Sequence, residues 1–179
     1  MIPPRESPSF RTGWKSKSIA MRTAHAFLAD CNVGRLARWL RVLGYDAAYE
    51  SRIADPELVA RALAEGRVLL TRDADLTQRR VIANGTLPAV LLRSDHVEDQ
   101  LRQVIQEIGL ESPSLEGGGL TRCLECNQEL EPRDKAQVAH RLPPYVRATQ
   151  ERFSQCPRCE RVYWPGTHWQ RMRARLAAL

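Results

Sequence analysis

Apolar positions along the chain change period several times, and each change marks an element. Ala24–Ala29 (AHAFLA) is a short apolar run ending at Asp30, which predicts a buried first strand. In Gly34–Leu43, residues Leu36, Trp39, Leu40 and Leu43 stand at i, i+3, i+4 and i+7, the stripe of an amphipathic helix. Gly44 then occupies the helix-ending position. Tyr45–Tyr49 reads as a weaker second strand. Asp55-Pro56-Glu57 predicts a helix start, with Asp as N-cap, Pro at the first helical position and an acid in the first turn. That helix runs to about Glu65 and Gly66 ends it. Val68–Thr71 predicts a strand, Leu76–Ala83 a helix closed by Asn84-Gly85, and Leu87–Leu92 another strand. Asp95 can cap a last helix in which Leu101, Val104, Ile105 and Ile108 share a face, with Gly109 at its end. The order β-α-β-α-β-α-β-α predicts an α/β domain: a parallel sheet with helices on both faces.

Beyond it the pattern breaks. Residues 111–121 (ESPSLEGGGLT) read as a flexible linker. Pro132, Pro143 and Pro144 argue against long helices after it. Val162-Tyr163-Trp164 predicts a strand and Thr167–Leu179 a terminal helix. The expected organisation is a disordered tail over 1–20, the α/β domain over 21–110, the linker over 111–121 and a small module over 122–179. The tail has no apolar core of a secretory signal, and Met21 is an alternative start. No run approaches the roughly 18–20 apolar residues of a membrane helix. A cytoplasmic location is the expectation.

The module's cysteines change the picture most. Cys123-Leu-Glu-Cys126 and Cys156-Pro-Arg-Cys159 are two CxxC pairs separated by 29 residues. Two such knuckles supply the four thiolates of a tetrahedral zinc site, so the module reads as a zinc ribbon with a structural Zn²⁺. His168 is an alternative ligand. Cys31, beside Asp30, has no histidine placed to activate it and reads as a small buried residue.

Charge divides the same way. Residues 21–120 carry 12 basic and 14 acidic side chains, whereas 121–179 carry 11 basic and 6 acidic. A basic module suits a polyanion such as nucleic acid. Of the 27 basic residues 24 are Arg, whose planar fork matches phosphate, although coding bias explains that preference as well. Arg35, Arg38 and Arg41 fall together on the first helix and are candidate nucleic-acid contacts. Aromatics are only 6% of the chain, which leaves little for an extensive base-stacking surface.

In an open parallel sheet, ligands gather outside the carboxyl ends of the strands. Asp30 follows the first strand and Asp73 and Asp75 follow the third, whose ends can be neighbours; Asp55 opens a helix on the same edge. Clustered carboxylates repel unless cations lie between them, and oxygen-rich clusters favour Mg²⁺ or Mn²⁺. Helix capping is the competing explanation for Asp55, for Asp95 and for one of Asp73 and Asp75. Signals for dinucleotide binding (GxGxxG), a P-loop (GxxxxGK[ST]) and an α/β-hydrolase (GxSxG) are missing.

These residues together resemble a known family. Phe27-Leu-Ala-Asp30, Gly34-Arg-Leu-Ala-Arg-Trp-Leu-Arg41, Leu43-Gly-Tyr-Asp46, Asp55-Pro-Glu-Leu58, Gly66-Arg-Val-Leu-Leu-Thr-Arg-Asp73 and the Gln100-Leu-Arg helix are similar to the Mut-7 C-terminal RNase domain family. So are Arg122-Cys-Leu-Glu-Cys126, Cys156-Pro-Arg-Cys159 and Tyr163-Trp-Pro-Gly-Thr-His168. The resemblance implies a PIN-like nuclease fold followed by a zinc ribbon, and a metal-dependent ribonuclease. The family's acids fall on Asp30, Asp55 and Asp73, with Asp75 as an additional one. Cys31-Asn32 departs from the Glu expected after the first Asp in many members. The expectation is an RNA-cleaving enzyme in which Asp30, Asp55, Asp73 and Asp75 hold Mg²⁺ or Mn²⁺. The alternative is a non-catalytic RNA-binding zinc-ribbon protein.

Overall fold

The structure, a computed structural model, describes residues 25–110 and 119–177. The tail expected over 1–20, and all but Gly119–Thr121 of the expected linker, lie outside them.

The α/β expectation holds. Strands β1 (Ala26–Ala29), β2 (Asp46–Tyr49), β3 (Val68–Thr71) and β4 (Ala89–Leu91) form one parallel sheet in the order β2-β1-β3-β4. Alternation within the central strands separates two cores. Phe27, Ala29, Val68 and Leu70 point to one face, where they meet Leu36, Ala37 and Leu40 of α1 (Gly34–Val42) and Val97, Leu101 and Val104 of α5 (Val97–Ile108). Leu28 and Leu69 point to the other, against Leu58, Val59 and Ala62 of α2 (Asp55–Glu65) and Leu76 of α3 (Ala74–Thr77). Both faces are thus apolar and covered, as parallel strands require.

Two local expectations are corrected. The helix expected over Leu76–Ala83 is two short ones, α3 and α4 (Arg80–Ala83), because the chain leaves helical geometry at Arg79 (φ −59°, ψ 135°). Asp55 and Asp95 are not N-caps: α2 and α5 begin after Ala54 and His96, neither with a side-chain cap.

The C-terminal part builds an antiparallel sheet, β5-β6-β7, from β5 (Glu131–Arg133), β6 (Phe153–Gln155) and β7 (Val162–Tyr163). Short helices α6 (Lys135–Val138) and α7 (Pro144–Thr149) lie between its first two strands. Helix α8 (Thr167–Ala177) returns to the parallel-sheet part: Trp169 and Met172 pack with Val42 of α1 and Leu124, and Arg175 lies over the Trp39 ring at 5.3 Å. No helix among the described residues is long and apolar enough to cross a membrane.

Polar contacts rivet the two parts along edge strand β2. Arg41 is 6% exposed. Its Nε donates to Ala47 O at 2.8 Å and its Nη1 to Leu124 O and Glu125 O at 2.7 and 3.1 Å. Asn127 does the same with an amide: Ala47 N donates to its Oδ1 at 3.0 Å, and its Nδ2 donates to Asp46 Oδ1 at 2.6 Å. Arg122 Nε reaches Gly44 O at 3.2 Å. An edge strand otherwise leaves such groups unpaired; at Ala47 of β2 they are met by Arg41 of α1 and by Asn127 of the cysteine-bearing segment.

Arg41→Met preserves bulk but leaves these buried carbonyls without donors. It is expected to lower stability by about 3 kcal/mol in denaturant unfolding. Asp46 adds a pH dependence. Burial pushes its carboxyl up, but hydrogen bonds from Arg67 and Asn127 outweigh this and hold it below the ordinary range. A carboxyl depressed in the folded state stabilises above its unfolded value of about 4 and stops doing so as pH falls through the folded one. The stability difference between wild type and Asp46→Asn should therefore be constant at neutral pH and shrink below about pH 4.

Candidate active site and metal centre

Parallel order places the carboxyl ends of all four strands on one edge, and the strand order reverses between β1 and β3. A ligand crevice opens at such a switch point. Asp30 leaves β1 there, 5% exposed. Its backbone N donates to Leu70 O of β3 at 2.9 Å, and its Oδ2 accepts the Thr71 hydroxyl at 2.8 Å. The Thr71 hydroxyl also accepts Asp73 N at 3.0 Å. One fully buried threonine therefore ties the acid after β1 to the acid after β3. In the sequence Thr71 stood only as the polar last residue of an otherwise apolar strand and as part of the Gly66–Asp73 motif, with no role attached to it.

Both acids also cap. Asp30 Oδ1 accepts Cys31 N at the start of a single 3-10 turn, and Asp73 Oδ1 accepts Asp75 N and Leu76 N at 2.8 and 3.2 Å. Asp55 sits in the first turn of α2, where its Oδ2 meets Arg79 Nη2 at 3.4 Å. Asp75 is exposed in the first turn of α3. The four acids share an edge, but no three of them approach closely enough to share an ion as they stand. Asp95 pairs with Arg72 instead of capping.

Beside Asp30 the same edge opens into a cleft of about 400 Å³. Its walls come from the β1–α1 connection, the end of β2 and the segments after β3 and β4, and they carry Arg35, Arg38, Arg72 and Tyr49. The hydroxyl end of the Tyr49 ring lies against Gly34, where an added Cβ would come within 2.6 Å of it, so any larger residue there has to displace the ring. Cys31 is exposed on this wall, not buried as expected. Of the three arginines grouped in the sequence, Arg35 and Arg38 line the cleft. Arg41 does not: it is buried on the Leu124 and Glu125 carbonyls, out of reach of a nucleic acid.

The second centre is sulfur. Cys123, Cys126, Cys156 and Cys159 bring their Sγ atoms within 4.8 Å of one another. A tetrahedral Zn–S bond of about 2.3 Å requires sulfurs about 3.8 Å apart, and Cys123 Sγ and Cys159 Sγ are 3.6 Å apart. The two knuckles repeat one local geometry. Cys123 O accepts Asn127 N and Cys156 O accepts Glu160 N, both at 2.9 Å, and both donor residues have positive φ. His168 is exposed and outside this group.

The thiols do not ionise independently. Burial pushes the Cys123 thiol up, but the Tyr163 hydroxyl and the Cys126 and Glu125 amides outweigh it and hold it at about 7. Cys126, first through its hydrogen bond with Cys159, is pushed up to about 12. One thiolate forms readily and the next is penalised, which a cation between them removes. The residues therefore fit a structural zinc. Tyr163 Oη accepts Leu124 N at 3.2 Å, leaving its proton for Cys123 Sγ at 3.2 Å.

In comparisons with known proteins, residues 25–176 match the family described as the Mut7-C RNAse domain. No curated protein matches, and no solved structure matches.

Purified, untagged protein is expected to carry one zinc per chain, and Cys156→Ser to lose it along with the fold of the ribbon. Tyr163→Phe removes only the hydroxyl that faces Cys123 and should weaken zinc about tenfold in competition with a chelator. Zinc-free protein with an intact ribbon would contradict both.

Proposed function

The chain belongs to the Mut7-C RNAse domain family, and from that membership we propose that it is a metal-dependent ribonuclease whose active edge is formed by Asp30, Asp55, Asp73 and Asp75. The observation that carries this is the Asp30–Thr71–Asp73 connection at the reversal of strand order. Two acids from separate strands are held there at fixed orientation, beside a cleft lined with arginines.

The donor set suits the ion. All four side chains offer oxygen, which favours Mg²⁺ or Mn²⁺ over softer metals. A carboxylate has about four lone-pair sites. Asp30 uses one site on each oxygen, and Asp73 takes both of its amide bonds on Oδ1, so each retains acceptor capacity. Asp55 has to leave Arg79 to join them. When bound, such an ion lowers the pKa of water and neutralises charge on a phosphodiester. Asp30 and Asp73 are the principal ligands and Asp75 the exposed supplementary one. Thr71 keeps the Asp30 carboxylate turned to the edge. The cleft arginines offset the repulsion between acidic edge and polyanion. The zinc ribbon is structural, and its basic surface aids RNA binding.

A specific observation favours the non-catalytic alternative. Asp30 and Asp73 each cap a turn and Asp55 has an arginine partner, so three of the four acids have structural employment.

Cleavage of a generic single-stranded RNA with and without Mn²⁺ separates the two readings. Asp30→Asn and Asp73→Asn are each expected to lower Mn²⁺-dependent cleavage by about 100-fold or more with little loss of fold, since Asn caps as well as Asp. Thr71→Val, which loses only the positioning hydroxyl, should lower kcat about tenfold with KM nearly unchanged, and Thr71→Ser should restore it. Full cleavage by Asp30→Asn would reduce the acids to caps.

A further inference from the structure

The cleft beside Asp30 holds three guanidinium-bearing side chains, Arg35, Arg38 and Arg72, and one carboxylate, Asp95. Their partners differ. Arg35 is exposed, and a carboxylate that feels its charge, Glu98, is itself bonded to Arg175. Arg38 shares Glu125 with Arg161, at 3.4 and 3.0 Å. Arg72 projects from the connection after β3, on the residue before Asp73, and holds Asp95 from the connection after β4. An exposed ion pair of this kind contributes almost nothing to stability, so stability does not explain a carboxylate in an otherwise basic cleft.

Asp95 is nevertheless held in place. The Gln100 side chain, 4% exposed, donates through Nε2 to Ser94 O at 2.8 Å. The Ser94 hydroxyl accepts His96 N at 3.0 Å and donates to Asp99 Oδ2 at 3.1 Å. The residues on either side of Asp95 are thus anchored while its own side chain stays 75% exposed at the cleft. A carboxylate offers a guanidinium the same two-oxygen face as a phosphate.

We infer that the cleft seats the backbone of a single RNA strand, one phosphate lying on Arg72 and its neighbours on Arg35 and Arg38, and that Asp95 occupies the Arg72 seat until RNA displaces it. The choice of RNA as ligand rests on the ribonuclease reading; the seat and its internal competitor rest on the cleft. Tyr49, 36% exposed, against Gly34 and with its hydroxyl donating to Cys31 O at 3.3 Å, offers a ring beside the strand. Asp95 lowers affinity for every polyanion, and it does so through one arginine adjacent to a proposed metal ligand. Strands that cannot supply a phosphate at that point gain nothing from the displacement.

The test is a double-mutant cycle on zinc-loaded full-length protein, with binding of fluorescent oligo-uridine measured across a salt series without added Mg²⁺ or Mn²⁺. Asp95→Asn should tighten binding about fivefold and steepen the log–log salt slope by about 0.7, one freed phosphate contact. Arg72→Gln should weaken binding, and in that background Asp95→Asn should change it less than about twofold, a coupling confined to the pair. Arg35→Gln should weaken both parents alike. An unchanged affinity in Asp95→Asn overturns the inference. So does an equal gain with and without Arg72, which is a general charge effect, and so does a wild type that binds no RNA. Coupling without any Mn²⁺-dependent cleavage keeps the seat and removes the ribonuclease reading.

Discussion

A guanidinium removed from water costs several kcal/mol unless its donors find acceptors, and those that receive Arg41 belong to two distant stretches of chain. Ala47 O lies on the edge of the parallel sheet; Leu124 O and Glu125 O lie inside the first cysteine knuckle. The Arg41 charge also has a counterpart. Burial pushes the guanidinium down, and the nearby Cys123, Glu125 and Cys126 counter this only in part. A zinc held by four thiolates carries a net charge of about −2, so a buried cation beside it is electrostatically apt as well as sterically required.

The same interaction joins the two candidate sites through α1. This helix begins at the cleft, with Gly34 and Arg35, and ends at the knuckle, with Arg41 and Val42. Nine residues make a rod of about 13 Å, and Leu36, Ala37 and Leu40 fix its roll against the sheet. Disruption of the cysteine knuckle would remove two of the three acceptors of Arg41 at one end of that rod and, through Glu125, the partner of Arg38 along its length. The four-cysteine centre can therefore hold the shape of the arginine-bearing cleft at the other end of α1.

Much of this was legible in the sequence because short-range rules dominate it. The apolar strands, the stripe on α1, the glycines at +62° and +71° that end α2 and α5, and the paired knuckles all follow from local pattern. What was illegible depends on long-range partners. Arg35, Arg38 and Arg41 look equivalent at three-residue spacing, yet each step drifts about 60° around a helix of 100° per residue, so Arg41 lies about 120° from Arg35. Whether that direction meets solvent or a knuckle 83 residues away is not a local question. Thr71 was hidden for the same reason: its hydroxyl matters only because β1 and β3 are neighbours. The Asp95–Arg72 pair likewise spans two connections that only the sheet order brings together.

Capping does not exhaust a carboxylate. An N-cap uses one carboxylate oxygen and locks its rotamer against backbone amides. That leaves the other oxygen free and immobile, and immobility is what an ion-binding group needs if the loaded geometry is to cost little reorganisation. Asp73 has this arrangement: both amide bonds fall on Oδ1. Asp30 goes further, with the Thr71 hydroxyl steadying its second oxygen from a position that is itself fully buried. Asp55 has no capping bond and one arginine partner at 3.4 Å, so it is less constrained than Asp30 or Asp73. The order of constraint among these three is therefore Asp30 before Asp73 before Asp55.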